Sequence, residues 1–204
     1  MKLVKNIIFD LGGVFINLDF QKTNEAFQQL GATQFYSFFS QTHSNSLFAA
    51  LETGTIATHD FYDAFRKQTG ILATNKAIAH AWNAMLINFP PERIEWLDSI
   101  QNKYDVFLYS NTNQIHYDCF MEIFKRDTGK DNFNRYFKKA YYSHEIKMRK
   151  PDADGFQLIL QEQNLAPEET LFIDDTLPNI RTAHSLGLQT IHLNAPLTVL
   201  DLPL

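Results

Sequence analysis

The sequence predicts an α/β fold with a three-layer, parallel-sheet core and an inserted helical cap. Three features support this fold class: short apolar runs that end in polar residues or glycine, helical patterns between the later runs, and one long helical stretch between the first two. The length of 204 residues fits one domain, or one domain that carries a large insertion.

The predicted strands are apolar or β-branched runs, which is typical of strands buried on both faces. They cover residues 4–9, 105–109, 170–173 and 188–193, with 138–142 as a further candidate. Helical patterns between the later strands occupy residues 114–125, 153–163 and 178–186. Strands that alternate with helices imply a parallel sheet.

The long stretch between the first two strands, residues 10–104, exceeds a simple crossover and has a helical pattern throughout. The helices predicted there cover residues 20–30, 34–53, 59–68, 75–87 and 91–102. We therefore expect a Rossmann-like sheet core formed by residues 1–16 and 103–204, and a helical cap formed by residues 17–102. Phenylalanines are frequent in this stretch, and we expect them to form its core.

Charge and cysteine content narrow the classes of function. Lys and Arg number 18 against 23 Asp and Glu, a formal charge of −5, so nucleic acid is not expected as a partner. Cys119 is the single cysteine and has no thiol to pair with, which favours a reducing compartment. The apolar run at residues 7–9 is too short for a signal peptide, and no run approaches the length of a membrane span. We expect a cytoplasmic protein with no membrane partner, and oligomeric state stays open.

Small polar and acidic residues follow the predicted strands. Asp10 follows the first, Ser110 and Asn111 the second, and the adjacent pair Asp174 and Asp175 the third. The carboxyl ends of parallel strands meet at one edge of a sheet, where ligands bind. Adjacent carboxylates repel each other unless a positive charge neutralises them, and Mg²⁺ prefers such oxygen ligands. The sequence thus indicates a magnesium site that includes Asp10 and the acidic pair.

Lys150 stands before a proline and a predicted helix, where it is able to neutralise a phosphate group. The order of these residues, in the segments FDLGGV around Asp10, YSNT around Ser110, KPD at Lys150 and FIDDTLPN around Asp174, resembles the haloacid dehalogenase-like hydrolase superfamily. The resemblance covers the whole chain and implies a Rossmann-like core with a helical cap between the first two segments. The first segment is most similar to bacterial phosphatases that act on glucose 1-phosphate, and less so to the amino-terminal phosphatase domain of epoxide hydrolases.

The resemblance implies a Mg²⁺-dependent phosphatase that acts on a small phosphorylated metabolite. Asp10 is then the nucleophile and forms an aspartyl-phosphate that water hydrolyses. The Mg²⁺ ligands are then Asp10, the Gly12 carbonyl and the acidic pair, of which Asp175 is the better match and Asp174 the milder contributor.

The resemblance also implies that Ser110 and Lys150 bind the transferring phosphoryl group and that Asn111 adds a contact. In phosphoryl transfer such positioning and electrostatic stabilisation supply most of the catalysis.

One position departs from the pattern of the superfamily. Most of its phosphatases carry a second aspartate two residues after the nucleophile, as general acid and base, and this chain has Gly12. Losing such a proton donor typically costs about 10²–10⁴-fold in rate unless another group replaces it. Asp19, His43 and His59 are candidate replacements. Without one, the rate depends steeply on the acidity of the leaving group.

Two other functions stay open at this point. A haloalkanoate dehalogenase uses the same nucleophile and also lacks the second aspartate, but the acidic pair then repels an anionic substrate with no cation to offset it. A catalytically weak binding or regulatory protein is the other alternative. The substrate depends on which cap side chains face the cleft, with Phe20, His43, Trp82 and Asn83 as candidates.

Overall fold

The computed structural model of the protein describes residues 3–40 and 43–204, apart from the side chains of Ser40 and His43. The strands in chain order are β1 (Asn6–Phe9), β2 (Asn17–Leu18), β3 (Phe39–Ser40), β4 (His43–Ser44), β5 (Leu86–Asn88), β6 (Asp105–Ser110), β7 (Lys139–Tyr142), β8 (Thr170–Asp174) and β9 (Gln189–His192). The α-helices are α1 (Phe20–Gln29), α2 (Ser46–Glu52), α3 (Thr58–Thr69), α4 (Asn75–Asn83), α5 (Pro91–Ile100), α6 (Gln114–Thr128), α7 (Ser143–Ile146), α8 (Ala153–Glu162) and α9 (Leu177–Ser185).

The main sheet has five parallel strands in the order β7-β6-β1-β8-β9. Strand β1 lies at its centre, with Asn6 opposite both Asp105 of β6 and Thr170 of β8. The strands predicted from the apolar runs, including the candidate at 138–142, are therefore confirmed with small shifts at their ends.

Side chains of the central strands alternate between the two faces of the sheet, as extended backbone requires. Ile7 and Phe9 belong to one buried cluster, together with residues of α5 and α6. Ile8 belongs to a second buried cluster on the other face, with Phe156 of α8 and Ala183 of α9. These two clusters give the three layers, and the predicted fold class is confirmed.

The helices between β1 and α5 have a buried cluster of their own, rich in aromatic side chains. Its largest members are Phe27, Phe35, Phe48, Phe61, Phe65 and Trp82. The ring of Trp82 packs in this cluster 4.5 Å from the Phe39 ring, between centroids. The phenylalanines of this stretch therefore form a core, as predicted. Helix α5 differs, because its Ile94, Leu97 and Ile100 pack with the sheet.

The prediction of one helix over residues 34–53 is wrong. A 3₁₀ turn at Phe35–Ser37 is followed by the short antiparallel pair β3 and β4 and then by α2, while residues 41–42 lie outside the description. Helix α2 begins late because the Asn45 side chain accepts hydrogen bonds from the backbone N–H groups of Leu47 and Phe48. An asparagine that caps a helix in this way starts a new helix.

The predicted helix over 75–87 also ends early, at Asn83. Residues Leu86–Asn88 instead form β5, which pairs antiparallel with β2, so that Leu18 lies opposite Leu86. This two-stranded ribbon and the short helix α7 have no counterpart in the sequence prediction. No α-helix of the described chain is long and apolar enough to cross a lipid bilayer.

Candidate active site

The polar residues predicted at the strand ends meet at one edge of the sheet. Asp10 follows β1, Ser110 ends β6 and Asp174 ends β8, and β6 and β8 are the two neighbours of β1. The Asp10 N–H donates to the Ile173 carbonyl, which extends the β1–β8 ladder and fixes the backbone of Asp10. The sheet order therefore brings together residues that lie far apart in the chain.

Lys150 links two of these carboxylates. Its Nζ donates to Asp10 Oδ1 and to Asp174 Oδ2, both at 2.7 Å, and the residue is only 1% exposed. Asn111 fixes the backbone of Lys150, because its Nδ2 donates to the Lys150 carbonyl and its Oδ1 accepts from the Lys150 N–H. Burial alone lowers the pKa of Lys150, but Asp10 and Asp174 outweigh it and hold that pKa above its ordinary value.

The acidic pair is divided between two environments. Asp174 has no exposed surface, and its carboxylate accepts from Lys150, from the Asn179 amide and from the Thr176 N–H. Asp175 is half-buried and its Oδ1 accepts from Thr176 Oγ1 at 3.0 Å. Asp174 thus orients Lys150, while Asp175 lines the open side.

Gly13 is required beside Asp175 for two reasons. Its φ of +69° favours glycine, and a Cβ at this position would collide with the Asp175 carboxylate. Gly13 therefore leaves room for the second acidic residue of the pair.

Asp10, Asp174 and Asp175 form a group whose carboxylate oxygens lie within 4.8 Å of one another. Burial raises the pKa of Asp10 to about 7, Lys150 acts in the opposite direction, and the other two carboxylates raise it again. Burial and Asp174 likewise raise the pKa of Asp175. One lysine does not balance three acids, and hard oxygen ligands with excess negative charge suit Mg²⁺. The donor set therefore fits that ion.

A cavity of about 190 Å³ opens above this edge of the sheet. One side, the strand-end wall, is formed by Asp10, Ser110, Asn111, Lys150 and Asp175 together with Gly12. The opposite side, the insertion wall, is formed by Phe20, Phe39, Glu52, Met85 and Leu86. All the predicted site residues line the cavity except Asp174, which lies behind Lys150.

The predicted cap candidates are distributed differently. Phe20 faces the cavity, whereas Trp82 is fully buried in the aromatic cluster, and neither Trp82 nor Asn83 belongs to the cavity lining. The side chain of His43 lies outside the described part of the chain. The candidate proton donors Asp19 and His59 do not line the cavity: Asp19 caps α1 through the Gln21 N–H, and His59 is exposed.

Glu52 of the insertion wall forms a buried ion pair with Arg149, which the sequence did not predict. Glu52, the last residue of α2, is 6% exposed, and its Oε2 lies 3.0 Å from Nη2 of Arg149. Arg149 Nη1 also donates to Ser44 Oγ at 2.7 Å. Burial raises the pKa of Glu52 to about 7, and Arg149 acts in the opposite direction.

A weak sequence signal for this contact exists in Gly54, two residues after Glu52. Gly54 has a φ of +60°, and a Cβ there would collide with the backbone carbonyl of His144 in α7. Because glycine is needed at that close approach, it marks the point where the end of α2 meets the loop region before Arg149.

His116 is another unpredicted residue of the lining. Its ring stacks on Trp82 with centroids 4.5 Å apart, and its Nε2 lies 3.2 Å from the Trp82 carbonyl. Burial lowers the pKa of His116 to about 4, and the hydrogen bond to Trp82 opposes this. Near neutral pH the ring is therefore uncharged, and it ties α6 to α4.

Comparisons with known proteins agree along nearly the whole chain. A family model described as haloacid dehalogenase-like hydrolase matches residues 7–193. The D-ribitol-5-phosphate phosphatase of Bacteroides thetaiotaomicron is 31% identical over 194 residues, which cover 92% of this chain and 91% of that protein.

Two solved structures have similar folds. A HAD family enzyme from Bacteroides thetaiotaomicron, in an aspartate-to-alanine variant complexed with magnesium and inorganic phosphate, matches with a TM-score of 0.89 and 33% identity over 95% of both chains. A protein from Porphyromonas gingivalis, described as a predicted HAD-like family hydrolase, matches with a TM-score of 0.83 and 30% identity over 93% of this chain and 90% of that one.

Proposed function

This chain belongs to the haloacid dehalogenase-like hydrolase family, and we propose that it is a Mg²⁺-dependent phosphatase that hydrolyses a small phosphomonoester through an aspartyl-phosphate. The observation that carries the proposal is the position of Lys150, which lines the cavity with its Nζ 2.7 Å from both Asp10 and Asp174. A buried cation between a nucleophilic carboxylate and a supporting one provides the charge that a phosphate dianion needs.

Each residue of the strand-end wall then has a role. Asp10 attacks phosphorus, while Ser110 and Lys150 hold the transferring phosphoryl group. Asn111 positions Lys150, because its side-chain amide donates to the Lys150 carbonyl and accepts from the Lys150 N–H. These residues act by fixing geometry and charge before the reaction starts.

We assign the metal to Asp10, the Gly12 carbonyl and Asp175, with Asp174 as a supporting carboxylate that is already held by Lys150, Thr176 and Asn179. When bound, Mg²⁺ neutralises phosphate charge and orients the phosphoryl group. The related HAD family structure was solved with magnesium, which supports the choice of this ion.

The substrate class that we propose is a small phosphorylated sugar or polyol. The resemblance of the segment around Asp10 favours glucose 1-phosphate, and the related phosphatase from Bacteroides thetaiotaomicron is named for D-ribitol 5-phosphate. A cavity of about 190 Å³ fits a leaving group of this size and is too small for a macromolecule.

We propose that the division into core and cap also holds, with one change at the boundary. Residues Ile94 and Leu97 of α5 pack with the sheet, so the part able to move over the cavity ends before α5 and not at residue 102. The ribbon of β2 and β5 then connects the cap to the core.

The proposal is tested by measuring phosphate release from 4-nitrophenyl phosphate, glucose 1-phosphate, glucose 6-phosphate and ribitol 5-phosphate, in Mg²⁺ and in chelator. We expect turnover that requires Mg²⁺. Halide release from a 2-haloalkanoate without metal, and no phosphate release, contradicts the proposal and favours the dehalogenase alternative. Absence of both reactions favours a binding or regulatory protein.

A further inference from the structure

Gly12 leaves the cavity without a proton donor beside the nucleophile. Among the described residues, the acids that line the cavity are Asp10, Asp175 and Glu52. Asp10 and Asp175 belong to the carboxylate group proposed to hold the metal. Glu52 is the acid of the insertion wall, on the side where the leaving group must lie once the phosphoryl group occupies the strand-end wall.

Glu52 and the nucleophile are joined through two consecutive residues. Arg149 contacts the Glu52 carboxylate at 3.0 Å, and Lys150 contacts the Asp10 carboxylate at 2.7 Å. Arg149 and Lys150 are consecutive in the chain, so one short segment contacts both acids, and both acids line the same cavity. Because the attacking and leaving oxygens lie roughly in line, the ester oxygen of a phosphomonoester at Asp10 faces away from that carboxylate, into the cavity that Glu52 also lines.

We propose that Glu52 is the general acid and base of the reaction, in place of the residue missing at position 12; this inference rests on the proposed phosphatase function. In the first step the Asp10 oxygen bonds to phosphorus and the bond from phosphorus to the leaving oxygen breaks. That oxygen keeps the electron pair and takes the proton of the Glu52 carboxyl group. In the second step Glu52 takes a proton from water, the water oxygen bonds to phosphorus, and the electron pair of the breaking bond returns to Asp10.

Arg149 stabilises Glu52 in its proposed role. Its hydrogen bond to Ser44 holds the guanidinium in place, and its contact with Glu52 stabilises the carboxylate that remains after the proton has left. Burial raises the pKa of Glu52 to about 7, so the protonated and ionised forms coexist near neutral pH, as an acid and base catalyst requires. The neighbouring helix α7 adds His144 and Glu145 to the charged or titratable groups on this side.

The test is the dependence of kcat/KM on the leaving group, because kcat/KM includes only the steps up to its departure. We compare the wild type, Glu52→Gln and a control, Glu162→Gln, which changes an exposed glutamate of α8 that pairs with Lys139. The substrates are a series of aryl phosphates and one alkyl phosphate. For Glu52→Gln we expect a loss of about 10²-fold or more on the alkyl phosphate, a typical value for a missing proton donor.

On 4-nitrophenyl phosphate, whose leaving group needs no proton, we expect Glu52→Gln to stay within about threefold of the wild type, and the control to match the wild type on every substrate. Glu52→Asp keeps an acid but shortens it, so we expect the same selective loss to a smaller degree. If circular dichroism shows that Glu52→Gln does not fold, Glu52→Asp still tests the inference.

Two results overturn the inference while leaving the proposed function intact: an equal loss on all substrates, which indicates a structural role, or no loss on the alkyl phosphate. A wild type that hydrolyses none of the phosphates in Mg²⁺ overturns the proposed function, and this inference with it. A selective loss in both Glu52 variants supports the inference.

Discussion

The two walls of the cavity differ in how their residues are held. The strand-end wall is polar, and its positions are fixed by the hydrogen bonds of the sheet and by Lys150, which is buried between two carboxylates. The insertion wall is mainly apolar, and its one acid among the described lining residues, Glu52, pairs with Arg149, a residue that follows the insertion in the chain. In the proposed function, the groups that react lie on the strand-end wall, and the groups that contact the leaving group lie on the insertion wall.

This difference predicts that changes on the strand-end wall abolish the reaction, while changes on the insertion wall alter which substrates react. The largest expected effect is that of Asp10→Asn, which keeps the size of the side chain but removes the attacking charge. We expect a loss of at least about 10³-fold in kcat with the fold retained. Steady-state kinetics with circular dichroism measures both. The exposed Asp98→Asn on α5 is the control, and residual activity within about tenfold of the wild type contradicts the role of Asp10.

The two residues of the acidic pair are expected to differ in their effects on catalysis and on stability. Asp175→Ala is expected to raise the Mg²⁺ concentration needed for activity by about 100-fold or more, and Asp174→Asn by about tenfold, since the first is assigned as a ligand and the second supports Lys150. For stability the order reverses. Asp174 has no exposed surface and shares Lys150 with Asp10, so breaking that buried pair is expected to cost about 3–5 kcal/mol of unfolding free energy.

Titrating activity with Mg²⁺ ranks the two variants by metal requirement. Denaturant unfolding in chelator ranks them by stability. If Asp174→Asn has the larger effect on the Mg²⁺ requirement and the smaller one on stability, the division of the pair is wrong.

The same comparison explains what the sequence predicted well. A polar residue directly after an apolar run is a local signal, and Asp10, Ser110 and Asp174 each gave it. Since parallel strands present their carboxyl ends at one edge, the order β6-β1-β8 was sufficient to bring these residues together. Lys150 follows no predicted strand, so its position before a proline and a helix is a weaker signal, and the resemblance to the superfamily strengthens its assignment.

The insertion wall was not predictable in the same way. Glu52 looks in the sequence like any exposed glutamate at the end of a helix, and its burial depends on Arg149, 97 positions later by the residue numbers of the pair. The pattern over 34–53 predicts one helix, because a single asparagine such as Asn45 is a weaker signal in a sequence than helical periodicity. A contact between distant segments decides the burial of Glu52, whereas a local side-chain cap starts α2.

The burial of Glu52 predicts a specific pH dependence of stability. Its pKa is raised from the ordinary 4.5 to about 7 in the folded protein, so the folded state binds the proton more tightly than the unfolded chain does. The stabilisation that this proton gives is present below pH 4.5 and is lost as the pH rises through 7.

We therefore expect the unfolding free energy of the wild type, relative to Glu52→Gln, to fall by about 2–3 kcal/mol between pH 5 and pH 8. Urea unfolding of both proteins in chelator at the two pH values measures this difference, with Glu162→Gln as the surface control. His116 has the opposite effect: because burial lowers its pKa to about 4, it decreases the unfolding free energy as the pH falls below 6.5. All three proteins contain His116, so this effect cancels in the comparison. A constant difference between wild type and Glu52→Gln contradicts the burial of an ionisable Glu52.

The smallest effect is expected from restoring an acid at position 12. Gly12 has no positive φ, so the backbone accepts a side chain there, but a Cβ would lie 2.7 Å from Cδ1 of Leu18, which has to rotate away. Gly12→Ala causes the same displacement without adding an acid and is the matched control. If Glu52 already supplies the proton, Gly12→Asp changes kcat/KM for an alkyl phosphate by less than about threefold relative to Gly12→Ala. In the Glu52→Gln background the same change has a donor to replace, so we expect it to recover about tenfold or more on the alkyl phosphate and nothing on 4-nitrophenyl phosphate. A large gain in the wild-type background means that Glu52 does not donate, and that the rate of this chain is limited by the glycine beside its nucleophile.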